Sequence, residues 1–81
     1  MTTQEKIGVR IAELRKKKNL SQQKFANEAD VERSFFTRIE KGEKNISVGT
    51  LERIFTALEI SFQEFFNHEM FDASTKRKKK N

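Results

Sequence analysis

The sequence predicts an all-α domain of five helices, and three observations point there. Proline is absent and glycine occurs three times, which leaves few turn-formers for the frequent reversals of a barrel or sandwich, and tryptophan and tyrosine are missing as well. Apolar residues recur at helical spacing in successive windows. The chain is 81 residues long with no internal break in composition, so it holds one domain. A chain this short buries only about two-thirds of its unfolded surface, and with 35% hydrophobic against 36% charged residues the eight phenylalanines must supply most of a thin core.

Thr2 and Glu5 have the spacing of a capping box, and Ile7, Ile11 and Leu14 form an inner stripe. A first helix therefore runs from about residue 3 to 18, with Lys6, Glu13 and Lys17 on its outer side. Ser21 caps the second helix, Leu20 and Phe25 are placed to staple its start, and it ends near Ala29. Asp30 and Val31 make the turn into a third helix, whose buried side is marked by Phe36 and Ile39 and which stops at Lys41 and Gly42. Gly42 supplies the left-handed residue of that stop. Ser47 opens a fourth helix with the stripe Leu51, Ile54, Phe55 and Leu58. Ser61 and Glu64 form a second capping box, opening a fifth helix that bears Phe62, Phe65, Phe66, Met70 and Phe71. From Ala73 onward the chain is polar and then basic, so residues 1–72 are expected to form the domain and 73–81 a disordered basic tail.

Zero cysteines exclude a disulfide scaffold, thiolate zinc sites and cysteine nucleophiles, and a single histidine does not assemble the usual metal site. Glu28, Glu32 and Glu40 have no histidine or metal cluster beside them, so no enzyme chemistry and no cofactor are expected. No apolar run approaches the roughly 20 residues of a membrane span, and no secretory signal opens the chain. A cytoplasmic location with no membrane contact is the default expectation. Net charge is +5, and Lys76, Arg77, Lys78, Lys79 and Lys80 account for all of it. Up to Asn45 there are 11 basic against 7 acidic residues; from there to residue 75, Arg53 faces five acidic ones. The body is thus a dipole whose basic half suits a polyanion and whose acidic half stays away from it.

Residues Gln22 to Ile39 carry the decisive pattern. A helix-turn-helix needs apolar residues where its helices cross, a small residue at closest approach and a turn residue that tolerates positive φ. Phe25, Ala26, Ala29, Val31, Phe36 and Ile39 fill the inward positions, with Ala26 the small one and Asp30 at the turn. Anchoring by Phe36 and Ile39 leaves Arg33, Ser34, Thr37 and Arg38 together on the outer face. Arginine there suits guanine O6 and N7, and the hydroxyls suit bases or phosphates.

The run LSQQKFANEADVERSFFTRIEKGEKNISVGTLERIFTALEISFQEFF resembles the Cro and repressor class of helix-turn-helix proteins, the xenobiotic-response-element family. Its most specific part is RSFFTRIEKGEKN joined to S-x-x-TLERI-x-x-AL, and LRKKKNLSQQ extends the likeness back into the first helix. The resemblance implies a compact lambda-repressor-like DNA-binding domain. It further implies that Gln22 meets a backbone phosphate, that Arg33, Ser34, Thr37 and Arg38 read bases, and that Arg15 and Glu40 pair to join the first helix to the third. Lys24, Lys41, Lys44 and Asn45 flank the groove in the same arrangement and are candidates for phosphate contact, with solvated surface charge as the alternative. Asp30 stands where glycine is usual, and Glu32 stands where a shorter capping residue is usual, so the third helix is weakly capped and Glu32 repels phosphate. His68 is expected in solvent.

Phe62, Phe65, Phe66 and Met70 are richer in apolar surface than one helix of a small monomer needs, and either complete the core or form a homodimer seam. A dimer presents two recognition helices about 34 Å apart, enough to read a palindrome on double-stranded DNA. The expected function is therefore a sequence-specific transcriptional regulator. A chain of this length, with no inducer-binding domain and no expected small-molecule ligand, looks like the controller proteins of restriction-modification systems, which the resemblance implies regulate their own promoter and that of the endonuclease. A small phage-type repressor, an antitoxin of the same fold, and a protein-interaction module using the fifth helix are the other candidates.

Overall fold

The computed structural model describes residues 1–72; the tail expected at 73–81 lies outside the described residues. Five helices follow one another: α1 (Thr3–Lys17), α2 (Gln22–Ala29), α3 (Arg33–Lys41), α4 (Val48–Leu58) and α5 (Phe62–Phe66), with a final 3-10 turn at Glu69–Phe71.

Local chemistry explains where they begin. The hydroxyls of Thr2, Ser21, Ser47 and Ser61 accept the backbone N–H of Glu5, Lys24, Thr50 and Glu64, satisfying donors that the first turn leaves free. Glu5 and Glu64 reach back to complete capping boxes at α1 and α5. Only α3 starts without such a bond, because Glu32 is at its N-cap with no side-chain cap.

The stops share one device. Asp30, Gly42 and Glu59 adopt left-handed φ of 57°, 76° and 59° after α2, α3 and α4. Each lets the next N–H return to a carbonyl five residues earlier: Val31 to Ala26, Glu43 to Arg38 and Ile60 to Phe55. Asn19, at φ 59°, closes α1 in the same way with Leu20 bonded to Arg15. Three of these four residues carry a side chain in a conformation that glycine adopts freely.

Aromatic contacts knit the layers together. Phe25 and Phe36 meet at 5.2 Å between ring centres, joining α2 to α3, while Phe55 stacks on Phe65 at 4.3 Å, joining α4 to α5. Ile11, Ile39 and Ile54 fill the space between, fully buried with those four rings. Helix α1 lies directly on the C-terminal half of α3 through Gly8. A Cβ added there would sit 2.6 Å from the Ile39 carbonyl oxygen and closer still to that of Glu40.

Helix α5 is shorter than its apolar spacing suggested, ending at Phe66 instead of running to Phe71. The guanidinium of Arg10 on α1 takes the carbonyls of Phe65 (3.0 Å) and Glu64 (3.4 Å), which a continuing helix would need for Glu69 and His68. The His68 N–H bonds to the Phe66 carbonyl at 2.9 Å, and its Nδ1 accepts the Met70 N–H at 3.1 Å. His68 thus caps the last turn, half-buried instead of free in solvent.

Candidate nucleic-acid interface

Helix α3 positions the candidate interface because its apolar side is held fast: Phe36 is 0% and Ile39 2% exposed. Arg33, Ser34, Thr37 and Arg38 consequently share the outer side, where the four line one shallow depression. Arg33, Ser34 and Arg38 are exposed, and Thr37 is half-buried toward α2. The Arg38 Nε lies 3.9 Å from Glu43 Oε1, with both side chains more than half exposed, so the pair is screened by solvent and holds Arg38 only weakly. Ser34 donates its hydroxyl to Glu32 Oε1 at 2.6 Å. Glu32 therefore serves a neighbouring hydroxyl instead of capping the helix.

Beneath that face, charge is handled differently. Arg15, 8% exposed, points its Nε at Glu40 Oε2 (2.8 Å) and its Nη2 at Oε1 (3.2 Å). Its Nη1 donates to the Leu20 carbonyl at 2.7 Å, closing the end of α1. The two-pronged geometry fixes orientation as well as distance. Gln22, expected at a phosphate, donates from Nε2 to Glu40 Oε1 at 2.7 Å and accepts the Thr37 hydroxyl at Oε1 at 3.2 Å. Arg15, Glu40, Gln22 and Thr37 form one chain from α1 to the outer face, and the buried side-chain polar atoms among the described residues all have partners.

Lys24, Lys41 and Lys44 are exposed around this face. Asn45 is also exposed and accepts a hydrogen bond from Gln4, tethering the loop after α3 to the start of α1. The dimer candidates divide. Phe62 keeps 42% of its surface exposed, and Phe66 and Met70 are half-buried. Phe65 is 0% exposed against Phe55, Phe66 and Phe71, so it anchors α5 to the core and has no surface to offer a partner.

Carboxyls with shifted acidity sit elsewhere. Glu5 is held below the usual carboxylate range chiefly by the Thr2 backbone N–H, Glu13 by its hydrogen bond from Arg10, and Glu59 by its hydrogen bond from Lys18. Each contributes stability above its unfolded pKa and loses it as pH falls through the folded one. Among the described residues, no helix is long and apolar enough to cross a membrane, and no three acidic, histidine or cysteine side chains gather to hold a metal.

Sequence reasoning missed Gly8 and Arg10. A glycine inside a helical run signals a close approach, so Gly8 was discoverable; the Arg10 contacts depend on how α5 docks and leave no local signal.

Comparison with known proteins agrees with this geometry. Residues 11–65 match the helix-turn-helix family HTH_3. Over 63 residues the chain is 38% identical to the control protein C.MunI of a Mycoplasma species, spanning 76% of this chain and 85% of that protein. The crystal structure of the restriction-modification controller protein C.AhdI from Aeromonas hydrophila superimposes with a TM-score of 0.75 at 36% identity, covering 78% of this chain and 96% of that one. The wild-type restriction-modification controller protein C.Esp1396I does so at 0.77 with 26% identity, covering 95% and 99%.

Proposed function

The chain belongs to the HTH_3 helix-turn-helix family, and within it to the restriction-modification controller proteins, DNA-binding regulators of transcription; from that premise we propose that it binds a palindromic operator as a homodimer and so regulates its own promoter and that of a companion endonuclease. The observation that carries the proposal is the outer face of α3, where Arg33, Ser34, Thr37 and Arg38 line one depression over a buried apolar anchor. That face fits a major groove, with base edges within reach of the two arginines. Lys24, Lys41, Lys44 and Asn45 stand around it as phosphate contacts, joined by the second amide hydrogen of Gln22. Such a regulator works where the DNA is, in the cytoplasm.

The dimer forms through Phe62, Phe66 and Met70, on the acidic half of the chain, away from the phosphates. Phe62→Asp is expected to leave α-helical circular dichroism unchanged and convert the protein to a monomer in sedimentation. A dimer that persists would move the seam elsewhere. Arg38→Ala is expected to weaken operator binding by about 1 to 3 kcal/mol and relax preference at one base pair. Equal weakening on random DNA would remove Arg38 from base reading. Lys44→Ala should weaken all duplexes alike and make the salt slope shallower by about one.

The decisive experiment is selection from a random duplex library at about 0.15 M salt, with sedimentation alongside. A palindrome with half-sites about one helical turn apart, bound by a dimer, is the expected result. Sequence-blind binding would overturn the proposal and direct the search to a protein partner for α5.

A further inference from the structure

A hydroxyl on a recognition helix is ambiguous in principle, since it has one hydrogen to give and two lone pairs to receive. For Thr37 the ambiguity is removed from within. Arg15 and Glu40 are held together in a buried, two-pronged pair at 2.8 and 3.2 Å. The Glu40 carboxylate only accepts, so the Gln22 side chain turns its nitrogen toward it, at 2.7 Å. With the amide fixed that way round, its oxygen is what faces Thr37, and an amide oxygen only accepts. The Thr37 hydrogen is therefore spent on Gln22 at 3.2 Å. What Thr37 has left for a ligand is lone pairs.

We propose that Thr37 is a specificity-determining acceptor: the Arg15–Glu40–Gln22 chain fixes its polarity so that it selects a base with an exocyclic amino group, adenine N6 or cytosine N4, and rejects the carbonyl edges of guanine and thymine. This rests on the operator-binding function above and names what one position of that operator must present. In the major groove only adenine and cytosine offer an amino donor, whereas guanine O6 and N7 and thymine O4 accept. A carbonyl set opposite Thr37 meets lone pair with lone pair, leaving a desolvated acceptor unpaired. Gln22 and Glu40 act here as positioning residues. Gln22 still has one Nε2 hydrogen for a phosphate, so the chain remains intact while the protein sits on DNA. Ser34 has the same polarity, donating to Glu32 at 2.6 Å. Both of those side chains are exposed, however, and nothing buried holds that pair in place.

The test begins with the operator obtained by selection. Each adenine of a half-site is replaced in turn by purine, which lacks the N6 amino group, and each cytosine by the pyrimidinone lacking N4. Binding is then measured by fluorescence anisotropy for the native protein, Thr37→Val and Gln22→Met. One replacement is expected to weaken the native protein about fivefold, the loss of a single hydrogen bond. The same replacement leaves Thr37→Val, already weaker, unchanged. Gln22→Met frees the hydroxyl to donate, so selection with this variant should admit guanine or thymine at that one position while the rest of the motif persists. A merely structural role for Gln22 would lower affinity for all sequences and leave that preference intact.

The proposal is overturned if no amino replacement couples to Thr37→Val, if the coupling falls instead on a thymine methyl removed by uracil, or if folded Gln22→Met keeps the amino preference. A native protein that selects no motif at all overturns operator binding itself. A clear motif without the amino dependence overturns this inference alone.

Discussion

Replacing Glu40 with alanine is expected to lower the free energy of unfolding by about 3 to 5 kcal/mol, the range found when one partner of a buried ion pair is removed. Arg15 is only 8% exposed, and without Glu40 its guanidinium keeps a single partner, the Leu20 carbonyl. Gln22 loses its acceptor in the same stroke. A domain of this size has a total stability of roughly 4 to 12 kcal/mol, so much of the population unfolds in mild denaturant. Urea titration followed by circular dichroism measures the loss directly. The double replacement Arg15→Met with Glu40→Leu should recover most of the stability, since an apolar pair of similar volume does as well as a buried ion pair. It should not recover operator discrimination, because nothing then orients Gln22 and Thr37. A loss under about 1 kcal/mol in Glu40→Ala would mean that Arg15 reaches water easily.

Gly8→Ala should also be strongly destabilising, by about 2 to 3 kcal/mol or more, and the sign is the informative part. Within a helix this exchange ordinarily stabilises by roughly 0.5 to 1 kcal/mol. Here the added methyl runs into the carbonyls of Ile39 and Glu40, and the obstructing atoms are backbone, which cannot swing aside. Helix α1 must then lift off α3, straining Arg15 and Glu40 as well. Gly49→Ala is the control. Its Cβ would meet nothing nearer than the Ser47 Oγ at 4.0 Å, so the ordinary gain is expected. Comparing urea midpoints of the two variants separates crowding from helix propensity. A stabilised Gly8→Ala would show that α1 and α3 are not in close contact.

What could be read in advance was whatever local chemistry decides. Ser21, Ser47 and Ser61 each cap within three residues of their own position, and Phe36 with Ile39 sets one face of α3 by spacing alone. The left-handed turn at Asp30 was legible from the helix-turn-helix pattern, whereas Glu59 was not, because glutamate seldom takes that conformation. The end of α5 was invisible for a related reason. Apolar spacing continued to Phe71, yet an arginine 55 residues earlier in the chain takes the Phe65 carbonyl. At the interface, which residues face outward followed from periodicity; that Gln22 and Thr37 are engaged with each other depended on a partner from α1 and α3 together.

The attachment of α3 to α1 bears on how such a protein can be retargeted. Gly8 and Arg15 grip the inner side of α3 near Ile39 and Glu40, and Glu5 packs under Gly42 at its end. None of those contacts involves Arg33, Ser34 or Arg38, so under the proposed function these three positions can be exchanged for new sequence preferences while the posture of the helix is preserved. The fourth is different: Thr37 is wired to Gln22, and a new residue there requires a matched change on α2. Transplanting residues 21–42 alone into another scaffold would carry the letters of the recognition surface without the clamp that aims them.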